Sequence, residues 1–237
     1  DGDLVVANRS IPKPERASAV KIAGGPERCI DRNGNGKIDT SSGSTALPWP
    51  AGQAQSPDEC VLWKTDLPAG SLPRAAGFDT GTAAGATVYI GLHARSEVWR
   101  LSGSDGTVLA KIATAPVAPY GLVVDGQGAV WVASLGGPMA RIDPANGDKE
   151  TITTASGCAY GIAADGQGRV YNAGFDCLAR YTPKTGTWER LRDPSFGFLR
   201  GLAVDGRLGV WVADTNVGMH HVDASGPVMV KKGTAAL

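Results

Sequence analysis

Residues 120–133 read Tyr120-Gly-Leu-Val-Val-Asp125-Gly-Gln-Gly-Ala-Val-Trp131-Val-Ala133, and 40 residues on the same phrase returns as Tyr160-Gly-Ile-Ala-Ala-Asp165-Gly-Gln-Gly-Arg-Val-Tyr171-Asn-Ala173. A third copy follows as Arg200-Gly-Leu-Ala-Val-Asp205-Gly-Arg-Leu-Gly-Val-Trp211-Val-Ala213. A repeat of about this period, holding several short strand patterns per unit, is the sequence signature of an all-β fold, the β-propeller of four-stranded blades.

The unit starting at Tyr120 predicts strand a over 120–124, strand b over 129–134, strand c over 139–143 and strand d over 149–153. Asp125-Gly126 and Asn146-Gly147 supply residues that tolerate positive φ, as tight hairpins require. Strands a and b are rich in Val, Leu and small residues, the composition of strands covered on both faces. Strand d carries Lys149 and Glu150, which suits an exposed outer edge. The same pattern predicts an upstream unit over 74–79, 88–92, 97–102 and 108–113. A first unit, reduced to strands b, c and d, is expected over 4–8, 19–23 and 60–65, with Asp1-Gly2 at the a–b turn. Residues 233–237 read as the beginning of another strand a. The chain thus holds about five blades in one domain over 1–237. Either its C-terminal segment closes a five-bladed ring, or the blades are part of a larger ring, with the remainder of the propeller as a partner.

Thirty-three glycines and fifteen prolines fit a turn-rich chain. Lysine plus arginine equals aspartate plus glutamate at 23 each, and no basic stripe is evident, which argues against nucleic acid as a partner. No apolar run approaches the length of a membrane span. The four cysteines say more about compartment. Cys158, in a d–a connection, and Cys177, in a b–c connection, belong to one blade and to one face of it. Cys29 and Cys60 bracket a long c–d insertion over 26–59. Two disulfides follow, each worth roughly 3–4 kcal/mol on the chain-entropy model. An oxidising, secreted or cell-envelope location goes with them. The alternative is four buried free thiols.

Within the insertion, Asp31-Arg-Asn33-Gly-Asn35-Gly-Lys37-Ile-Asp39 matches the first nine positions of an EF-hand-type Ca2+ loop. Asp31, Asn33, Asn35 and Asp39 offer side-chain oxygens and Lys37 its carbonyl. Position twelve is Ser42 rather than a glutamate, so Asp58 or Glu59, returned by the Cys29–Cys60 bridge, is expected to complete the shell. The role is structural, and the alternative is a turn that holds no metal.

The d–a and b–c connections form the face on which propellers place their channel-mouth sites. Arg74, Tyr120, Tyr160 and Arg200 start successive a strands there, and the b–c connections add His93, Ser134, Phe175, Asp176 and Asp214. Two arginines and two tyrosines around a channel suit an anionic or aromatic ligand, a small molecule or part of a protein. The alternative is that they only fill the channel mouth. Of three histidines, His93 alone is placed to act as an acid or base. His220 and His221 are adjacent on a strand and point to opposite faces. The aromatic residues 89, 131, 171 and 211, in register on every blade, are read as inter-blade packing.

The pattern Y/R-G-L/I-x-x-D-G-x-x-x-V-W/Y-x-A over roughly 74–232 resembles the streptogramin B lyase and NHL-type propellers. The inserted C-I-D-R-N-G-N-G-K-I-D-T segment is similar to one in secreted bacterial propellers of that kind. The resemblance implies the fold and, as one function, a lyase or hydrolase acting on an ester bond, with His93 as base beside Asp176 or Asp214. Here the b strands end in Ala-Ser, Ala-Gly and Ala-Asp, where that lyase has Thr-Glu. The other function is a Ca2+-stabilised binding or scaffolding module, because a shared fold does not carry its chemistry with it.

Overall fold

The computed structural model describes residues 2–9, 17–49, 53, 55–79, 86–152 and 157–236, and within these it is built of strands in five antiparallel sheets. Blade 1 holds three strands, β1 (Leu4–Asn8), β2 (Ser18–Ile22) and β3 (Val61–Asp66). Blade 2 holds β4 (Pro73–Asp79), β5 (Thr87–Leu92), β6 (Glu97–Ser102) and β7 (Val108–Ala113). Blade 3 holds β8 (Gly121–Val124), β9 (Val130–Ala133), β10 (Met139–Ile142) and β11 (Lys149–Ile152). Blade 4 holds β12 (Gly161–Ala164), β13 (Val170–Ala173), β14 (Cys177–Thr182) and β15 (Thr187–Arg192). Blade 5 holds β16 (Leu199–Val204), β17 (Gly209–Asp214), β18 (Gly218–Asp223) and β19 (Val230–Ala236). Each sheet is a simple up-and-down meander. The inner strands stand side by side, β4 between β1 and β8, and β12 between β8 and β16. That is a propeller of radially arranged blades. Asp1, Thr153 and Leu237, each part of a sequence expectation, lie outside the described residues.

The repeated aspartate does more than turn the chain. Asp125 accepts the N–H groups of Gln127 (2.9 Å) and Ala129 (3.0 Å) on one oxygen and the Trp131 indole N–H (2.7 Å) on the other. Asp205 repeats this with Arg207, Gly209 and the Trp211 indole at 2.8, 2.9 and 2.9 Å. Asp165 does so with Gln167, Arg169 and the Tyr171 hydroxyl at 2.9, 3.0 and 2.8 Å. One side chain therefore closes the a–b turn and fixes the rotamer of the aromatic residue two strands of the blade share. The left-handed residue of these turns is not the glycine after the aspartate, as the Asp-Gly reading implies. It is Gly128 (φ 85°), Gly168 (φ 77°) and, in blade 5, Leu208 (φ 66°).

The core lies between blades. Tyr89 and Val98 pack on Leu122, Val130 and Val132 across the blade 2–3 interface. Trp131 and Met139 pack on Val170 and Tyr181 between blades 3 and 4, and Tyr171 and Leu178 pack on Val210 and Val222 between blades 4 and 5. Near the channel the inner strands come closer than side chains permit. A Cβ on Gly161 would meet the Arg200 carbonyl oxygen at 1.9 Å, so glycine is required there, whereas blade 2 carries Ala75 at the same place.

Two sequence expectations about the ends meet different outcomes. Blade 1 is three-stranded in the described residues, as expected. Residues 233–236, by contrast, do not begin a new inner strand. They continue β19, which pairs with β18 from Val230↔Asp223 to Ala236↔Gly218 across a bulge at His221/Val222. The alternating polar and small residues of 230–236 read equally well as one strand interrupted by a bulge, and the pairing energy of a full-length ladder decides for that.

The insertion is anchored to blade 1 at both ends. Cys29 and Cys60 form a disulfide, and Asp3 takes a two-point bond from Arg28 (2.6 and 2.7 Å) and an ion pair from Lys21 (3.0 Å). Cys158 and Cys177 form the second disulfide.

Burial opposes ionisation of Asp165, yet the donors from Arg169, Tyr171 and Gln167 prevail and hold its carboxyl below the ordinary range. Its folded-state pKa is depressed, so the stabilisation is present above pH ~4 and is lost as pH falls below that value. Asp165→Ala leaves the buried Tyr171 hydroxyl and Arg169 without their acceptor. A loss of ~2–4 kcal/mol is expected at neutral pH. In urea unfolding, the gap between wild type and variant should close as pH falls below ~4.

Candidate functional site at the channel mouth

The four residues that start the a strands meet as one hydrogen-bonded arc. The Arg74 guanidinium donates to the Tyr120 hydroxyl and lies over its ring at 3.8 Å. Tyr120 donates to the Tyr160 hydroxyl at 2.9 Å, and Arg200 donates to the same Tyr160 oxygen at 3.3 Å. This is the repeat expressed in space. Blades 2 to 5 each contribute an a-strand start, and the glycines after the two tyrosines, Gly121 and Gly161, let the neighbouring inner strands approach until the phenol oxygens meet. Together with the adjacent backbone the arc lines a depression of ≈ 380 Å³.

Rings extend the arc sideways. His93 stands edge-on to Tyr120 (5.7 Å), Tyr120 to Tyr160 (4.7 Å) and Tyr160 to Phe198 (5.0 Å), and Phe198 stacks on Phe175 at 4.1 Å. Arg200 lies over Phe198 at 4.6 Å and donates to the Thr215 hydroxyl at 2.7 Å. The face thus presents a continuous aromatic band, with a guanidinium over the ring at each side. Neither arginine makes an ion pair among the described residues. Their charge is balanced only by phenol and hydroxyl oxygens, so an anion entering the depression finds donors not already committed to a carboxylate. Burial, then donation to Tyr160, pushes the Tyr120 phenol above its ordinary range. It is neutral at physiological pH, a hydrogen-bond group rather than a base.

The carboxylates are placed elsewhere. Asp214 is buried, accepts the N–H groups of Gly197 (2.6 Å) and Asn216 (2.9 Å), and bonds His220 Nε2 at 3.1 Å. His220 reaches the Thr234 hydroxyl with its other nitrogen at 2.9 Å, so the trio stitches β17, β18 and β19 together. Asp176 pairs with Arg192 at 2.6 Å in an exposed bridge. Ser134 is buried and accepts the Ala118 N–H at 3.2 Å. His93 therefore stands at the mouth without a carboxylate at its side. Its Nδ1 is buried and makes no hydrogen bond in the described structure.

Phe198 and Thr215 belong to the site but escape a reading that aligns only strand starts. Both sit in connections outside the repeated phrase, and the aromatic pair Phe196-Gly-Phe198 just ahead of Arg200 was the available signal.

The insertion loop is a separate candidate. Asp31 accepts the N–H groups of Gly34 (2.7 Å) and Gly36 (2.9 Å), and both glycines are left-handed, at φ 69° and 77°. Asn33 Oδ1 accepts from the Asn35 N–H (2.9 Å), and Asn35 Oδ1 from the Lys37 N–H (2.8 Å). The carboxamides of Asn33 and Asn35 both donate to Asp39, at 2.7 and 3.0 Å. Asp31, Asn33, Asn35, Lys37 and Asp39 are thus gathered on one tight loop, and their donor set is oxygen throughout, which suits a hard cation. The set holds two carboxylates, and no group of three or more acidic, His or Cys side chains placed for a metal occurs among the described residues. Of the two residues ahead of Cys60, buried Glu59 reaches the loop, accepting the N–H groups of Arg32 (2.7 Å), Asn33 (3.2 Å) and Asp39 (2.9 Å). Asp58 does not. Its oxygens hold Thr40 and Ser41 at 2.7–3.0 Å.

Fold and site together define a β-propeller with a polar-aromatic channel mouth. Its structural neighbours are streptogramin B lyases and related propellers. A streptogramin B lyase structure superposes with a TM-score of 0.58 at 16% identity, over 68% of this chain and 54% of the lyase. A catalytically inactive virginiamycin B lyase from Staphylococcus aureus, solved with quinupristin, gives 0.56 at 16%, over 69% and 57%. The extracellular domain of a one-component system from B. thetaiotaomicron gives 0.52 at 14%, over 67% and 23%. At these identities the likeness shows the fold alone. The chain spans about half the length of the lyase structures. No family model and no curated protein sequence matches it. No helix in the described residues is long and apolar enough to cross a membrane.

Tyr160→Phe removes the acceptor of the Tyr120 hydroxyl. The Tyr120 phenol titration, followed by ultraviolet difference spectra against Tyr120→Phe, should then shift toward lower pH. An unchanged titration would mean that the Tyr120–Tyr160 bond does not form in solution.

Proposed function

We propose that the protein is an extracytoplasmic binding module whose ligand is an anion carrying a flat apolar or aromatic group, held at the channel mouth. The observation that carries this reading is the Arg74–Tyr120–Tyr160–Arg200 arc, two guanidiniums without carboxylate partners set over an aromatic band. The anion would take donors from Arg74 and Arg200, and the flat group would stack beside Tyr160 and Phe198. The two disulfides support an oxidising location. Isothermal titration against a panel of aromatic carboxylates tests the site. Binding should weaken at least about tenfold in Arg74→Ala and Arg200→Ala, roughly the loss of one charge-assisted bond, with the melting temperature little changed. Binding that both variants leave intact would sink the assignment.

A second reading is favoured by His93, whose buried unpartnered Nδ1 lies beside Tyr120. In that reading His93 is the base of a lyase or hydrolase acting on an ester. Turnover of a cyclic depsipeptide ester that His93→Ala abolishes would favour it. Absence of turnover leaves the binding module.

We further propose that Ca2+ binds the 31–39 loop through Asp31, Asn33, Asn35, Asp39 and the Lys37 carbonyl, with Glu59 bracing the loop backbone. Its role is to stiffen an insertion that buries little apolar surface. Added Ca2+ should raise the melting temperature, by ~2–4 °C for a gain of about 1 kcal/mol in a chain of this size. Asp31→Ala with Asp39→Ala should remove that gain. A calcium response retained in the double variant would place the ion elsewhere.

A further inference from the structure

Blade 5 presents a face built like an interface and left uncovered. The in-register aromatics Tyr89, Trp131 and Tyr171 are 0–1% exposed, because the next blade lies over each of them, whereas Trp211 is 41% exposed. The closest parallel is blade 3. There Trp131 and Met139 are covered by Val170 and Tyr181 of blade 4. Blade 5 carries the same pair at the same positions, Trp211 on β17 and Met219 on β18. Met219 is 38% exposed where Met139 is fully buried. Around them the face is small and apolar, with Ala203 paired to Trp211, and Ala213 paired to Met219.

The inner-strand glycines give an independent observation. A Cβ on Gly121 would meet Ile162 Cγ2 at 3.0 Å and the Tyr160 carbonyl at 3.4 Å, and one on Gly161 would meet the Arg200 carbonyl at 1.9 Å. Gly201 holds the same place in blade 5, and nothing lies within 4 Å of its Cβ position. The feature that admits a neighbouring inner strand is present, and the space beside it is open.

We infer that the outer face of blade 5 is a docking surface for one further four-stranded blade of this same repeat, its inner strand set against Gly201 and its apolar strands over Trp211 and Met219. The argument is continuity, since the face extends, residue for residue, the interface already formed between blades 3 and 4. A second copy of the chain offers a poorer cover. The matching end of a second copy is blade 1, where Leu4 (58%) and Val6 (37%) are exposed, and its three strands are one short of the four-stranded blade that covers Trp131. Two residues depart from the pattern, Ala203 where blade 3 has Val123, and His221 where it has Arg141. Where Arg180 reaches from blade 4 to the Ala224 and Gly226 carbonyls of blade 5, at 2.9 and 3.0 Å, His221 stacks on Trp211 at 4.3 Å. The docked blade would therefore be held by packing and not by an arginine clamp.

The test compares the 1–237 chain with one extended at its C-terminus by a second copy of its own residues 157–193, the unit that covers Trp131 and Met139. Acrylamide quenching of Trp211, isolated by difference against Trp211→Phe, should fall several-fold in the extended chain, and Gly201→Ala should restore it. In the unextended chain Gly161→Ala should lower the melting temperature sharply, while Gly201→Ala leaves it unchanged. This second comparison holds even if the extended chain does not fold. Gly201→Ala as damaging as Gly161→Ala in the unextended chain would overturn the inference. So would a Trp211 equally quenched in a folded extended chain, or concentration-dependent dimerisation of 1–237 that shields Trp211, which would make a second copy the occupant.

Discussion

Blades 3, 4 and 5 each hang on one carboxylate. Asp125, Asp165 and Asp205 spend one oxygen on closing the a–b turn and the other on the ring of residue 131, 171 or 211. The turn geometry and the aromatic rotamer are thereby a single variable. At 131 and 171 that aromatic residue is the spacer between blades, buried against the next one. The docking in turn sets how closely the inner strands approach, a distance short enough to require glycine at 161. The hydroxyl-to-hydroxyl contact of Tyr120 and Tyr160 across two blades exists because that spacing is held.

The channel mouth is the product of this register and of a choice of side chains the fold does not demand. The inner-strand register does not call for arginine or tyrosine at these starts, yet blades 2 to 5 carry one or the other at each. Two guanidiniums at one small depression repel each other and gain little from phenol oxygens, so the arrangement is better explained by what it can receive than by what it contributes to stability. Acidic groups are meanwhile withdrawn from the mouth. Asp214 is consumed by His220 and two backbone amides, and Asp176 by Arg192. Neither of these carboxylates is therefore paired with His93 in the described residues.

The fold was legible because the repeat writes the same local physics three times, so Trp131 and Tyr171 could be assigned to inter-blade packing from the pattern, whereas Trp211, read the same way, is 41% exposed. The two disulfides were legible from connection topology, since Cys158 and Cys177 share a face only in this fold. Other features turn on geometry that no residue type announces. Leu208 takes a left-handed conformation in a place where the other blades have glycine. Residues 233–236 extend β19 because a bulge shifts the register, and bulges leave no fixed pattern. Asp214 looked like a channel residue by alignment, but its side chain turns inward to His220, a partner six positions on that stands where blades 3 and 4 have alanine. Asp58 and Glu59 were equivalent on paper, and the direction of one backbone turn sends only Glu59 to the loop.

The claim on which the functional account rests is that the Arg–Tyr–Tyr–Arg arc is where ligand sits. It is tested most directly by nuclear magnetic resonance of the protein labelled at arginine and at the aromatic residues, titrated with 4-hydroxybenzoate as an aromatic carboxylate probe. The account predicts that the Arg74 and Arg200 Nε–H signals and the rings of Tyr120, Tyr160 and Phe198 move together along one saturable curve. Perturbations that saturate at another surface while these five signals stay fixed would contradict it.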